Sequence, residues 1–161
     1  MKKMWINGAW VDSASGQAIE VTNPATEEVL DAVPAGTPQD VERAVAAAKS
    51  AFPVWRQITA VERARMLHEA AAKMRDHFDE LVRLLTLEEG KPVPENREEI
   101  DWSLNTLDYY AELGRHIRGR VIPSPDVGQL SLVLKEPYGV VGCIVPWNYP
   151  ILLLMLSLIH I

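Results

Sequence analysis

Asn148 is the residue in this chain best suited to chemistry. Its amide donates a hydrogen bond in the same state at any working pH, and the adjacent Trp147 adds one N–H on a large flat face. A donor of this kind suits a developing oxyanion, and a flat aromatic beside it suits a cofactor. Both residues lie in Pro146-Trp147-Asn148-Tyr149-Pro150, directly after the apolar run Val140-Val141-Gly142-Cys143-Ile144-Val145. Such a run reads as a buried parallel strand, and open α/β sheets bind ligands beyond the carboxyl ends of their strands. A plainer reading fits the same residues: Asn148 satisfies the backbone of a proline-bracketed turn and Trp147 fills a core.

Other reactive side chains carry weaker signals. Cys143, the single cysteine, sits inside the apolar run, where a thiol is usually an inert small hydrophobe. Glu88-Glu89-Gly90-Lys91 suggests an acid/base pair or a phosphate loop, but a helix ending at Gly90 before Lys91-Pro92 accounts for it fully. His68, His77 and His116 share no metal-ligand spacing and read as solvated helix positions.

The elements that must position this segment follow from pattern. Asn7-Gly8 between Trp5-Ile6 and Ala9-Trp10-Val11 predicts a hairpin, because a type I′ turn needs two residues at positive φ. Two further strands are expected at 18–21 and 29–33, separated by a turn at Asn23-Pro24. Thr37-Pro38 supplies an N-cap and a first-turn proline for a helix to about Ala51. Thr59-Ala60-Val61-Glu62 is a capping box for a helix to about Arg75. A helix over 76–89 should carry Phe78, Leu81, Leu84 and Leu85 on one side. A long helix over about 95–116 carries the stripe Ile100, Leu104, Leu107 and Ala111. A basic segment, 115–120, then leads into a proline-rich loop. The alternation of residues 129–136 predicts a half-exposed strand, and Tyr149-Pro150 opens a last helix.

Composition narrows the class. With 48% hydrophobic and 24% charged residues, the chain matches ordinary globular proteins. A net charge of −6 offers no general electrostatic reason to bind nucleic acid or an anionic membrane. One cysteine excludes an intrachain disulfide framework and fits a reducing cytoplasm. Polar residues from Asn7 onward interrupt any signal peptide, and the apolar run 151–161 is about half a bilayer span.

The segment Glu136-Pro137-Tyr138-Gly139-Val140 through Tyr149-Pro150 resembles the NAD(P)-dependent aldehyde dehydrogenase superfamily, which carries a Glu-Pro-x-Gly-Val-x-x-x-Ile-x-Pro-Trp-Asn-Tyr/Phe-Pro stretch. The similarity runs from about residue 4 to about residue 155 and includes Ile6-Asn7-Gly8, Asn23-Pro24-Ala25-Thr26, Leu87 to Pro92 and Tyr109-Tyr110-Ala111. It implies an α/β fold: the N-terminal part of the aldehyde dehydrogenase fold, with a helical segment, short strands, one oligomerisation-arm strand and the start of a Rossmann-like parallel sheet. Residues 1–125 would belong to the cofactor-binding domain and 126–138 to the arm strand. Residues 139–155 would form the first strand and helix start of the Rossmann-like core.

The resemblance also implies roles. Asn148 would be the side-chain half of the oxyanion hole for the thiohemiacetal formed when a cysteine thiolate attacks an aldehyde. Ile144, Val145, Pro146 and Trp147 would line the site for NAD or NADP, with Trp147 near the pyrophosphate. Tyr149 and Leu153 would face the aldehyde tunnel. Asp101 matches a position that in some members helps hold a structural monovalent cation, although a solvated helix carboxylate explains it equally. The parent would oxidise a small-molecule aldehyde to a carboxylic acid as a cytoplasmic homo-oligomer, dimer or tetramer, without nucleic acid or membrane.

Departures from the family set further expectations. The cofactor-ribose lysine, the Gly-rich turn, the general-base glutamate and the nucleophilic cysteine are all expected beyond residue 161, so this chain alone is expected to be inactive. The tail Leu156-Ser157-Leu158-Ile159-His160-Ile161 replaces the family's aromatic and Lys-Leu. It is what CTG-TCT-CTT-ATA-CAC-ATC encodes, the end of a common transposon-derived sequencing adapter. Residues 156–161 are therefore expected to be non-native, the alternative being a truncated paralogue with a drifted end. A non-catalytic oligomerisation or binding module is the competing function. A membrane peptide is disfavoured by the short run and the lack of flanking basic residues.

Overall fold

Local chemistry explains most elements of the computed structural model, which describes residues 2–158. Strands β1 (Met4–Ile6) and β2 (Ala9–Val11) form an antiparallel hairpin. Its turn holds Asn7 at φ 52° and Gly8 at φ 74°, the two left-handed residues a type I′ turn requires. Trp5 pairs with Trp10 across it, ring centroids 4.9 Å apart edge to face. Strands β3 (Ala18–Thr22) and β4 (Val29–Pro34) form a second antiparallel pair.

Five helices carry the rest. Helix α1 (Pro38–Trp55) starts at the predicted cap, Thr37, and continues two residues past Pro53. Its N3 residue, Asp40, is buried and ties two segments together. Asp40 accepts from Thr37 N at 3.0 Å, from Thr37 Oγ1 at 2.9 Å, from Ala14 N at 3.1 Å and from Ser13 Oγ at 3.2 Å. Helix α2 (Ala60–Asp76) opens on the predicted Thr59–Glu62 capping box. Helix α3 (Phe78–Glu89) ends at Gly90, which is left-handed at φ 73°. Helix α4 (Val93–Leu113) begins earlier than expected, because Pro94 falls in its first turn, where a missing N–H costs nothing. A 3-10 turn, Gly114–His116, extends it, and helix α5 (Pro150–Leu158) opens at the expected proline.

The core forms around α4, against which α2, α3 and α5 pack. The predicted stripe Ile100, Leu104, Leu107 and Ala111 is buried in full. Ala71, Val82 and Leu85 complete the cluster, with Leu67, Phe78, Leu81, Ile151 and Met155 packed against it. One expected core residue faces outward: Leu84 is exposed, and Val82 takes its place. The helical period explains the exchange, since Phe78, Leu81, Val82 and Leu85 share the i, i+3, i+4, i+7 face and Leu84 does not.

Two expectations for the last third require correction. The proline-rich region contains an unforeseen strand, β5 (Arg120–Ile122), antiparallel to β6 (Ser131–Val133), which is shorter than the expected 129–136. The leucine face of β6 is the open one, with Leu130, Leu132 and Leu134 all exposed, because no second layer covers this two-stranded ribbon among the described residues. The apolar run 140–145 forms no strand, and Ile144 is fully exposed. A strand exists only through a hydrogen-bonded neighbour, and the described residues offer three antiparallel pairs and no parallel partner. No described helix is long and apolar enough to cross a membrane. The expected non-native tail lies partly outside the described residues; Leu156–Leu158 complete α5.

Candidate active-site segment

The turn 146–149 and the start of α5 are held from beneath by helix α4 and the 90–92 link that precedes it. Proline at position 150 starts α5 with no N–H to satisfy, so the first open amides of this helix are those of Ile151 and Leu152. Tyr149, at the cap position, has no short acceptor to reach them. Glu99 supplies the acceptor from α4: its Oε1 accepts from Ile151 N at 2.9 Å and from Leu152 N at 3.3 Å. The carboxylate is completely buried and also favours the positive end of the α5 dipole.

Lys91 completes the support. Its ammonium pairs with the other oxygen of Glu99 and donates to the Asn148 carbonyl at 2.8 Å. It also lies 4.1 Å from the centroid of the Tyr149 ring. The same ring stacks on Trp102 of α4, centroids 6.2 Å apart and planes 16° from parallel. Glu89 stands 3.3 Å from the same ammonium. Burial opposes the charge on Lys91, but the hydrogen bond and charge of Glu99, with Glu89, outweigh it and raise the pKa of the lysine above its ordinary value. Burial pushes the Glu89 carboxyl upward against the pull of Lys91. Asn96, fully buried one turn before Glu99, donates to Thr86 Oγ1 at 2.9 Å and to the Lys91 carbonyl at 3.2 Å, fixing the 90–92 link.

The backbone of this turn is thus gripped while its outward side chains are free. Trp147 is 82% exposed, and Asn148 is exposed with no side-chain hydrogen bond among the described residues. Beside them opens a cavity of about 580 Å³ whose lining includes Cys143, Ile144, Val145, Pro146 and Leu153. That volume falls within the roughly 300–1,000 Å³ usual for small-molecule sites, and the lining is mostly apolar, as such sites are.

The residues singled out from the sequence therefore fall into three groups. Ile144, Val145, Pro146 and Leu153 share the cavity, with Trp147 and Asn148 on the adjoining turn. Tyr149 does not line the cavity and packs instead against Lys91 and Trp102. Asp101 lies exposed on α4, and no group of three His, Cys, Asp or Glu poised for a metal occurs among the described residues.

Sequence reasoning missed Glu99 and assigned Lys91 only to a helix end. One signal was available: Asn96, Glu99 and Ser103 occur at helical spacing along the apolar stripe, and a carboxylate there must find a partner when buried. His68 was also misread as simply solvated. Its Nδ1 lies 2.7 Å from Asp108 and its Nε2 2.9 Å from Glu112, joining α2 to α4 beside the Arg75–Asp108 pair. Those two partners hold the His68 pKa above its ordinary value.

Comparison with known proteins gives the turn its context. Residues 10–161 match the aldehyde dehydrogenase family. The NADP(+)-dependent succinate-semialdehyde dehydrogenase of Escherichia coli (strain K12) is 42% identical over 145 residues, 90% of this chain and 30% of that relative. The glutarate-semialdehyde dehydrogenase of Pseudomonas aeruginosa is 40% identical over 149 residues, 92% of this chain and 31% of that relative. Among solved structures, betaine aldehyde dehydrogenase from Staphylococcus aureus in complex with NAD+ superposes with a TM-score of 0.93 at 38% identity, covering 98% of this chain and 32% of that one. This α/β chain belongs to the aldehyde dehydrogenase family. It spans about a third of the length of the relatives it matches.

Proposed function

We propose that this chain serves as the N-terminal part of an NAD(P)-dependent aldehyde dehydrogenase, supplying half of the oxyanion hole and one wall of the dinucleotide site. The observation that carries this reading is the 146–149 turn: Lys91 holds its main chain at the Asn148 carbonyl and Glu99 holds the α5 amides that follow it, while the Asn148 amide and the Trp147 indole are left open beside an apolar cavity. A donor fixed before reaction costs no reorganisation when charge develops on the aldehyde oxygen, and this makes oxyanion stabilisation effective. Asn148 donates to that oxygen. Trp147 offers a flat face and one N–H to the dinucleotide, and Ile144, Val145 and Pro146 present apolar surface that excludes water. A dinucleotide held there would supply the hydride acceptor. Leu153 borders the same cavity and serves the dinucleotide wall more directly than an aldehyde tunnel.

The longer enzyme contributes the remaining parts: a nucleophilic cysteine, a general-base glutamate and the rest of the cofactor site. Residues 1–161 alone turn over no aldehyde, and they work in the cytoplasm. Residues 126–138 act as an arm toward a second copy, in keeping with the exposed leucines 130, 132 and 134. Asp101 remains a candidate cation ligand only through the resemblance. The test is aldehyde-dependent reduction of NAD or NADP by the full-length form and by its Asn148→Ala variant. The variant is expected to lose about 10²–10³ in kcat with little change in dinucleotide affinity. Near-normal single-turnover hydride transfer would remove Asn148 from the mechanism.

A further inference from the structure

The geometry points to Lys91 and Glu99 as a positioning pair that sets the aim of the Asn148 amide, an inference that rests on the function proposed above. Neither residue touches the cavity; both act on the main chain of the turn. Glu99 takes the Ile151 and Leu152 amides, and Lys91, paired with Glu99, takes the Asn148 carbonyl and covers the Tyr149 ring. The peptide unit that follows Asn148 and the first two amides of α5 are therefore tied to α4 through one ion pair.

Packing alone does not explain this choice of residues. A fully buried carboxylate is expensive to desolvate, and apolar side chains of similar volume usually hold two helices together at least as well. What an apolar pair cannot do is bind three main-chain groups of residues 148–152 at once. The local sequence needs such help, since Pro150 lacks an N–H and Tyr149 cannot cap α5. The supporting residues also come from rigid elements. Glu99 is the seventh residue of the 21-residue α4, past its first turn, and Lys91 follows the left-handed Gly90 and is held by the Asn96 bond to its carbonyl. The pair thus transfers the rigidity of the helical core to a turn whose exposed side chains make no bonds of their own.

The double variant Lys91→Met/Glu99→Gln tests this in the full-length form proposed above. It removes both charges of the pair together, and Glu89, whose carboxyl burial already pushes upward, can take up a proton once the ammonium is gone. It leaves a weaker, neutral acceptor for the α5 amides and deletes the grip on Asn148 and the cover over the Tyr149 ring. Amide hydrogen exchange at Ile151 and Leu152, whose acceptor becomes neutral and loses its hold on Lys91, is expected to rise at least about tenfold. Single-turnover hydride transfer is expected to fall about 10–100-fold, as for a reacting group misplaced by roughly 1 Å. The KM for the dinucleotide should move less than about threefold, because the cavity wall is untouched. Lys91→Arg, which keeps the charge and a donor, should recover a large part of the rate; a residue needed only for packing volume would not show this rescue. If exchange at Ile151 and Leu152 stays within about twofold of wild type while the variant is folded by circular dichroism, the positioning role is wrong. If the wild-type full-length form oxidises no aldehyde, the functional reading fails, and the exchange comparison still decides whether the pair holds the turn.

Discussion

Replacing Gly90 with alanine should loosen the foundation on which Lys91 stands, and the structure allows the cost to be worked out. Gly90 sits at φ 73°, where an L-residue meets its own carbonyl at a cost of about 1–2 kcal/mol. A Cβ there would also lie 2.6 Å from Pro24 Cγ, with Pro24 Cβ at 3.6 Å. The proline ring has few ways to yield, so the clash adds about 1–3 kcal/mol, the usual range for overpacking. The total is about 2–5 kcal/mol, a large share of the roughly 5–15 kcal/mol that stabilises a domain. Thermal unfolding followed by circular dichroism should show a midpoint lower by roughly 5–15 °C. The two contributions can be separated. Pro24→Ala removes Cγ, so in the Pro24→Ala/Gly90→Ala protein the steric part should vanish and the backbone part remain, a coupling of about 1–3 kcal/mol in a double-mutant cycle. Gly90→Asn, which tolerates the left-handed region better, should cost less in backbone strain than Gly90→Ala but retain the clash. A midpoint within about 2 °C of wild type for Gly90→Ala, or strict additivity with Pro24→Ala, would refute the reasoning.

Two predictions concern pH. The His68 pKa is raised by Glu112 and Asp108, so its contribution is complete below the ordinary histidine value of 6.5 and is lost as pH rises through the folded value. His68→Gln should therefore flatten the fall in stability just above pH 6.5, and an unchanged slope in pH-dependent melting would count against the α2–α4 clasp. Asp40 behaves in the opposite sense. The backbone hydrogen bond from Thr37 leads the causes that lower its pKa, so its contribution is present above the ordinary value of 3.8 and is lost as pH falls through the folded one. Asp40→Asn should destabilise the protein at neutral pH and remove part of the acid sensitivity, with faster amide exchange at Ala14 and Thr37 as the local sign. Slow exchange at both amides would show that the loop is held by something else.

The elements with local causes were legible in the chain. Asn7-Gly8 dictated the first hairpin through backbone sterics, Thr37 and Thr59 marked two helix starts through their hydroxyls, and Gly90 marked a helix end through its lack of a Cβ. The α4 stripe was legible because burial repeats with the helical period. The chemistry of the turn was legible too, as residue types: Trp147 and Asn148 could be named as donors, and the family resemblance carried by residues 136–150 agrees with the match over residues 10–161.

Only the tertiary structure decided how those donors are held. Lys91 and Asn148 are 57 positions apart, and Glu99 and Ile151 are 52 apart, so no local pattern connects them. The same limit hid β5, whose pairing with β6 depends on a partner across the loop rather than on its own alternation. It also misled the reading of 140–145, where an apolar run predicts burial but a strand forms only beside another strand. Local sterics and capping act within a few residues and can be read directly. A buried carboxylate reveals its purpose only when folding delivers the amides and the ammonium that offset its desolvation.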